Sequence, residues 1–531
     1  MSHHPYHTQQ WKELLPDIDQ AIARMDAAHL VSIGITPYTR IIPSFFLKTY
    51  SKYIPRRSSD VDVLESFARM HVLEDYDAKL AKKVHSTGYL LNSYAFKNFL
   101  KSRRTPVTLM INTVTDKAAE TLQQLGVSWI GNTPKTYESV MNKGPFRKLV
   151  ASLGLPTMPI HTLAREEFLS STFETIIALC AGSFVVQRGD KEVGGNEGTF
   201  FIHSLQDFAH SHEVLTADDS FEEVIISPFI KGYSTSMLGC VMPEGVLSGP
   251  LQLQLIDVPE SLHGVSPSGI FFGNDIGFHP WGAHVEMQAQ EVVEGIGAHL
   301  RDQGYRGIFG IDFMYDEARD QIYPNECNPR FTGSLVLHSL AMLDAGVPPL
   351  EFFHLLSQLG IETSFDFQKV NQALKTRLPY SHIAISPKDI HHMTLPLLAG
   401  VYEYDSSVPE ITYKGPGFSL AHIQSENQFL LIDTVPTVGT AIEQNVPRLF
   451  KFIFPRSIAR SSHSIDEDAA FLLERFATAL VNSQTLEPVG RVLAKERFCN
   501  DERNGSCNKC ADNTPRHINE GHEERPIGRN G

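Results

Sequence analysis

Residues 1–140 alternate short apolar runs with amphipathic ones. HLVSIGITPY, TPVTLMINTV and VSWIGNTP read as strands, and DKAAETLQQLG has the spacing of a helix. That alternation predicts an α/β unit with a mainly parallel sheet. The next segment, MNKGPFRKLVASLGLPTMP, predicts a helix. Pro145 suits its first turn, Phe146, Leu149, Val150 and Leu153 form an apolar stripe, and Gly154 followed by Pro156 stops it.

From 175 to 345 the strands lengthen and pair: FVVQRGDKEVGGNEGTFFI, EEVIISPFIKGYSTSMLGCVM, VLSGPLQLQLIDV and RGIFGIDFMYDEARDQIYPNECN, with a helical VEMQAQEVVEGIGAHLRDQG before the last. This predicts an α+β arrangement with antiparallel hairpins. Residues 365–485 carry more short strands and end in a helical run, DEDAAFLLERFATALVNS. From 497 the chain turns polar, which predicts a disordered tail. The organisation expected is therefore 1–140, 141–360 (divided at 225/226), 365–485 and the tail 497–531.

Composition narrows the functional classes. At 531 residues and 42% hydrophobic the chain can build about three domains. A net charge of -15 argues against nucleic acid and anionic membrane as partners and leaves small molecules, metal ions and proteins. MSHHPYHTQQWKELL lacks the pattern of a signal peptide, and no run approaches the ~20 apolar residues of a membrane helix, so a cytoplasmic enzyme is expected. Cys180, Cys240 and Cys327 are scattered, which suits a reducing compartment. Cys499, Cys507 and Cys510 with His517 and His522 could supply zinc ligands, but their polar surroundings favour a mobile tail over a zinc site.

Candidate chemistry starts at YPNECNPR. Glu326, Asn328 and Arg330 alternate in a strand-like run, which sends all three to one face. With a loop of about five residues the hairpin sets Asp312 opposite Glu326 and Asn328 two positions along. Two carboxylates about 4 Å apart repel by roughly 4 kcal/mol at an effective dielectric of 20, so a positive partner is expected. Magnesium suits such hard oxygen donors, and Arg330 offers a forked donor to phosphate or carboxylate oxygens. An ordinary ion network of Asp312 and Glu326 with Arg330 and other basic residues is the competing reading. Upstream, GDKEVGGNEGTFFI lies between two apolar runs, and Gly194, Gly195 and Gly198 free its backbone to approach phosphate oxygens. It matches neither the Walker loop nor the dinucleotide fingerprint and reads as a flap between strands.

In this order the pieces resemble the ATP-grasp superfamily, in its biotin-carboxylase-like branch. The resemblance implies an α/β plus α+β protein with the ATP-grasp fold, an N-terminal α/β domain and a C-terminal β-rich domain. By matched position, Asp312, Glu326 and Asn328 would bind magnesium, with manganese as a substitute, and Arg330 would hold the transferred phosphoryl group or acyl phosphate. Lys143 would contact ATP phosphates, Gly194, Gly195, Gly198 and Thr199 would form the flap, and the backbone of Ile226, Ser227, Pro228 and Phe229 would bracket adenine. Two positions depart from the pattern. Gln187 stands where a second phosphate lysine is usual, with Arg188 or Lys191 as substitutes, and Ser227 and Ser234 stand where a ribose-binding acid is usual.

The activity implied is a ligase in which a substrate carboxylate takes the γ-phosphate of ATP and an acceptor then displaces phosphate. An amine acceptor, an amino acid or small peptide-like molecule, is the first expectation. The thiol of a carrier protein is the second, and a nucleotide-binding protein without turnover is a reading from another class. A homodimer is expected from the resemblance alone. Specificity is expected from the 1–140 domain and from the loops around Asn274, Asp275 and His279, although for each of these residues the favoured reading is that it structures its loop.

Overall fold

The first five strands explain the alternation seen at the N-terminus, because each is short and successive ones are joined by crossovers. β1 (Leu30–Ile33), β2 (Ser51–Ile54), β3 (Arg69–Val72), β4 (Thr108–Met110) and β5 (Ser128–Ile130) form a parallel sheet in the order β3-β2-β1-β4-β5. The expected helix runs Asp116–Leu125; Thr115 Oγ1 accepts from Ala118 N at its start, and Gly126, at φ 63°, ends it. Strand order reverses beside β1, which opens a crevice at the carboxyl ends of β1 and β4. Asn112, just past β4, accepts from Phe331 N at 3.2 Å, so this crevice borders the loop that follows Asn328.

The computed structural model describes residues 9–189, 198–218, 220–262, 269–386, 392–394, 396–405, 410–442 and 448–481. Gly194, Gly195, Lys191 and the whole Cys/His tail lie outside the described residues. The chain divides into two units, Met1–Leu493 and Ala494–Gly531, and every described residue belongs to the first.

A second, four-stranded sheet is antiparallel: β6 (His161–Ala164), β7 (Phe184–Arg188), β8 (Thr199–Ile202) and β9 (Glu223–Pro228), in the order β6-β9-β7-β8. β7 and β8 are the two arms of the glycine-rich hairpin. The third sheet has eleven strands among the described residues. It runs β15 (Gln321–Asn328), β14 (Gly307–Asp316), β10 (Gly232–Val241), β12 (Gln252–Ile256), β13 (Phe271–Asp275), β16 (Ser381–Ala384), β20 (Lys451–Phe454), β19 (Gln428–Ile432), β17 (Gly400–Asp405) and β18 (Glu410–Gly415), with β11 (Val246–Ser248) on β10. The strands of 365–485 thus continue the sheet of 226–360, joined where β13 pairs with β16. At that joint a Cβ on Gly273 would overlap the His382 carbonyl, so the position admits only glycine.

One face of this sheet is covered by the helix Ala283–Asp302, the VEMQAQEVV segment of the sequence. Its Val285, Ala289, Val292, Val293, Ile296 and Leu300 are buried with Phe309, Ile311, Phe313 and Cys327 of the β14–β15 hairpin. Each large apolar side chain so buried contributes about 1.5–3 kcal/mol, which holds the hairpin rigid beneath its polar face. Among the described residues no helix is long and apolar enough to cross a membrane.

Candidate active site

The β14–β15 hairpin pairs Asp312 with Glu326 and Gly310 with Asn328, the register expected from alternation. Alternation is broken once. Phe313 pairs with Pro324, which leaves Asn325 as the extra residue of a bulge next to Asp312. β15 is an edge strand, so Pro324 removes no ladder donor from the middle of the sheet. Cys327, between the two polar positions, points into the core and is 2% exposed.

Burial, and then the charge of Glu326, pushes the Asp312 carboxyl up to about 7, while Arg330 and two hydrogen bonds pull the other way. Those bonds come from Asn328 Nδ2 to Oδ2 at 2.9 Å and from Gln254 Nε2 to Oδ1 at 2.9 Å. Arg330 does not touch either carboxylate; its Nη2 donates to Asn328 Oδ1 at 2.8 Å and its Nη1 to the Phe331 carbonyl at 3.3 Å. The amide is a spacer between acid and guanidinium. Among the described residues the two carboxylates share one ion pair, Lys143 Nζ to Glu326 Oε2 at 3.8 Å.

Lys143 is the first residue of the helix Lys143–Ser152. Phe146 and Val150 bury the stripe expected of it, whereas Leu153, past its end, is 41% exposed. Burial holds the Lys143 ammonium below its ordinary value, against the pull of Glu326. One turn on, Arg147 is also buried. Its Nη2 donates to Gln187 Oε1 at 3.0 Å and to Asn325 Oδ1 at 3.2 Å, and its Nη1 is buried without a partner. Gln187 Nε2 in turn reaches Thr199 Oγ1 at 3.4 Å, across the two arms of the glycine-rich hairpin. Gly198 begins the second arm at φ 87°, where a Cβ would also press on the Arg188 side chain.

Hydrogen bonds and one ion pair therefore link Asp312, Glu326, Asn328, Arg330, Lys143, Gln187 and Thr199, with Gly198 beside Thr199, where the small antiparallel sheet meets the edge of the large one. Residues 192–334 match the model of the ATP-grasp domain family. The chain carries an ATP-grasp domain.

The biotin carboxylase of Campylobacter jejuni, 10% identical, shares the fold with a TM-score of 0.54 over 80% of this chain and 87% of that one. The biotin carboxylase domain of the 2-oxoglutarate carboxylase of Hydrogenobacter thermophilus, solved with magnesium ADP and bicarbonate, is 12% identical with a TM-score of 0.52 over 88% and 99%. The arginine-specific carbamoyl phosphate synthase large chain of Halalkalibacterium halodurans is 22% identical over 221 residues, 41% of this chain. The match spans 19% of the length of that relative.

Within the ATP-grasp domain the expected adenine segment ends β9. Ile226 is paired on both sides, with His161 of β6 and Val186 of β7. β6 begins at His161, so no described strand pairs with the other edge of Ser227 and Pro228. Phe229, 38% exposed, stands edge-on to His203 at 4.7 Å and to Phe201 at 6.2 Å. The two cations expected to replace a lysine at 187 fare differently. Arg188 faces away, paired with Asp218 at 2.6 Å and bonded to Ser220 at 2.9 Å, and Lys191 lies outside the described residues.

Three polar groups at this candidate site escaped the sequence reading. Arg147 is i+4 from Lys143, a spacing that puts both on one helix face. Gln254 belongs to LQLQLID, where an amide alternating with leucine in a strand was the available signal. Asn325 is placed by the bulge. Of the loop residues singled out, Asp275 is consumed by structure: its carboxylate accepts from Phe278 N, Ser457 Oγ, Ile458 N and Ala459 N, all between 2.8 and 2.9 Å. Asn274 is buried and donates to Ser236 Oγ at 3.3 Å, and His279 stays exposed against the Gly277 carbonyl at 2.7 Å.

Proposed function

We propose that the protein is an ATP-dependent carboxylate ligase that converts a substrate acid to its acyl phosphate and passes the acyl group to an amine. The observation that carries this reading is the register-paired Asp312 and Glu326, flanked by Lys143 on one side and the Asn328–Arg330 spacer on the other. On this reading 1–140 and 365–485 are the flanking domains, and 141–360 is the ATP-grasp core with its lid-type part up to 225.

The donor set fits magnesium. A buried carboxyl raised toward neutrality beside a second carboxylate is a place where a divalent cation is favourable, and hard oxygen donors select Mg²⁺. Asp312 and Glu326 would hold it, with the rest of its shell left to phosphate oxygens and water. Asn328 would join after its amide turns, because its Oδ1 now serves Arg330. Bound there, the metal supplies charge neutralisation along the phosphate chain.

The chain's own residues then do the following. Lys143 meets phosphate oxygens from the helix start, Thr199 and Gly198 bound the phosphates from the flap, and the unpaired edge at Ser227 and Pro228, with Phe229 beside it, takes the adenine. Arg330, released from Asn328 when that amide turns, offers its fork to the oxygens of the transferred group, where negative charge is concentrated. A carboxylate oxygen of the acid displaces ADP at the γ-phosphorus. The amine nitrogen then attacks the acyl carbon, phosphate leaves with the bonding pair, and the nitrogen loses a proton to solvent.

The test is release of ADP and of phosphate from MgATP by purified full-length protein, with pooled amino acids and small carboxylic acids, with and without amine and carrier-protein acceptors. ADP release that requires a carboxylate is the expected result, and the acceptor arm separates an amine from a carrier thiol. AMP and pyrophosphate in place of ADP would mean adenylation and overturn the mechanism.

A further inference from the structure

We propose that Arg147 is a nucleotide-phosphate ligand, binding through the Nη1 that has no protein partner, with Gln187 and Asn325 as the groups that aim it. The inference rests on the ATP reading of this site and adds a residue to it that neither the hairpin nor the flap pattern contains.

A guanidinium stays protonated, and a buried one is stable only when its charge is met. Arg147 is 8% exposed, and its described hydrogen-bond partners, Gln187 Oε1 at 3.0 Å and Asn325 Oδ1 at 3.2 Å, are neutral amides. They orient the fork and leave the charge unbalanced. Burial pushes the Arg147 group down to about 10, and Glu326 is the acid that opposes this. Glu326 is already engaged by Lys143 at 3.8 Å and faces Asp312 across the hairpin. The site thus holds three cations, Lys143, Arg147 and Arg330, against two carboxylates. Once a divalent metal takes the carboxylates, all three cations are left without counter-charge. A polyphosphate chain supplies it.

Geometry agrees with the charge count. Lys143 and Arg147 are one helical turn apart, so their side chains leave the same face. Nη1 is the buried, unpartnered corner of a fork whose Nη2 is pinned between β7 and the bulge of β15. Gln187 is itself tied to Thr199 at 3.4 Å, which links Arg147 to the second arm of the flap. Gln187 is then a positioning residue, and a lysine at 187 would set a second cation against the Arg147 fork.

The experiment measures binding of adenosine, MgADP and MgATP by calorimetry to wild type, Arg147→Met, Arg147→Lys and Arg188→Met, with thermal unfolding of each as a check on folding. A lost charge-assisted bond to phosphate predicts about 10- to 100-fold weaker MgATP binding by Arg147→Met. The loss should be smaller for MgADP, adenosine affinity should be unchanged, and Arg188→Met should match wild type. Arg147→Lys, which keeps the charge without the fork, should fall between and serves if the Met variant is unfolded. The double variant Arg147→Met/Gln187→Lys, which returns a cation to the same wall, should recover part of the MgATP affinity. Equal losses for adenosine and MgATP, or no loss at all, would overturn the assignment while leaving ATP binding in place. Absence of MgATP binding by wild type would overturn the nucleotide reading itself, and this inference with it.

Discussion

Gln254 Nε2 stands 2.9 Å from Asp312 Oδ1 and donates to it, although β12 and β14 are separated by β10. The bond stabilises the ionised form of a carboxyl that burial pushes up to about 7. A metal bound as proposed must displace the proton from this group, so its apparent affinity should fall as pH drops below about 7, by up to tenfold per unit. Magnesium titrations of activity from acid to mildly alkaline pH should show that slope, and Gln254→Leu should move it to higher pH by removing a donor to the carboxylate. A magnesium requirement independent of pH would detach Asp312 from the metal.

The same shift has a stability consequence of definite sign. A carboxyl whose folded value lies above its ordinary value of 3.8 keeps its proton longer in the folded protein, so stability falls as pH rises between 3.8 and about 7. Asp60 and Glu351, each also pushed up to about 7 by burial, add to the trend. At the proposed metal site, the part due to Asp312 is the part that magnesium would remove. Thermal unfolding at pH 5 and pH 8, with and without magnesium, should show metal stabilisation growing with pH, and Asp312→Asn should abolish the growth.

Glu326→Gln keeps the shape of the side chain and deletes the charge from a group that is 36% exposed, so the fold should survive. Magnesium-dependent ADP release should drop by about two orders of magnitude, the scale of losing one charge from a phosphate-transfer site. Near-normal turnover would return the hairpin to an ordinary ion network.

Arg330→Lys places one ammonium where a fork now spans Asn328 and the Phe331 carbonyl. It should lower kcat with little change in the KM for ATP, because in the proposed mechanism the group acts on the transferred phosphoryl rather than on nucleotide binding. Steady-state kinetics separate the two parameters, and a change confined to KM would move Arg330 to ground-state binding.

Gly273→Ala should destabilise the protein by about 1–3 kcal/mol or more, since the added methyl would meet the His382 backbone at the joint between β13 and β16. Chemical denaturation of the variant measures this. An unchanged midpoint would mean that the two halves of the large sheet part there without cost.

Much of the candidate site's arrangement was legible because its residues lie close in sequence. Asp312, Glu326, Asn328 and Arg330 sit on one hairpin, where a period of two decides facing and a short turn decides register. Lys143 was nominated by the ATP-grasp resemblance, while Pro145 and the apolar stripe marked the helix that it begins. Asn325 was not, because a bulge is a two-strand event that the alternation of one strand does not announce. Arg188 was a reasonable candidate from its position beside Gln187, but adjacent strand residues face opposite ways, and it pairs with Asp218 instead.

By itself the sequence determined the kinds of element, the paired carboxylates and the amide–guanidinium run beside them, because hydrophobic periodicity and hairpin register act within a few residues. Only the tertiary structure decided which groups converge from afar: Arg147 upon Gln187 and Asn325, Gln254 upon Asp312, and the strands of 365–485 upon the same sheet as the hairpin. Those meetings depend on long-range packing of buried surfaces, and no local spacing encodes which of several polar side chains that packing will bring together.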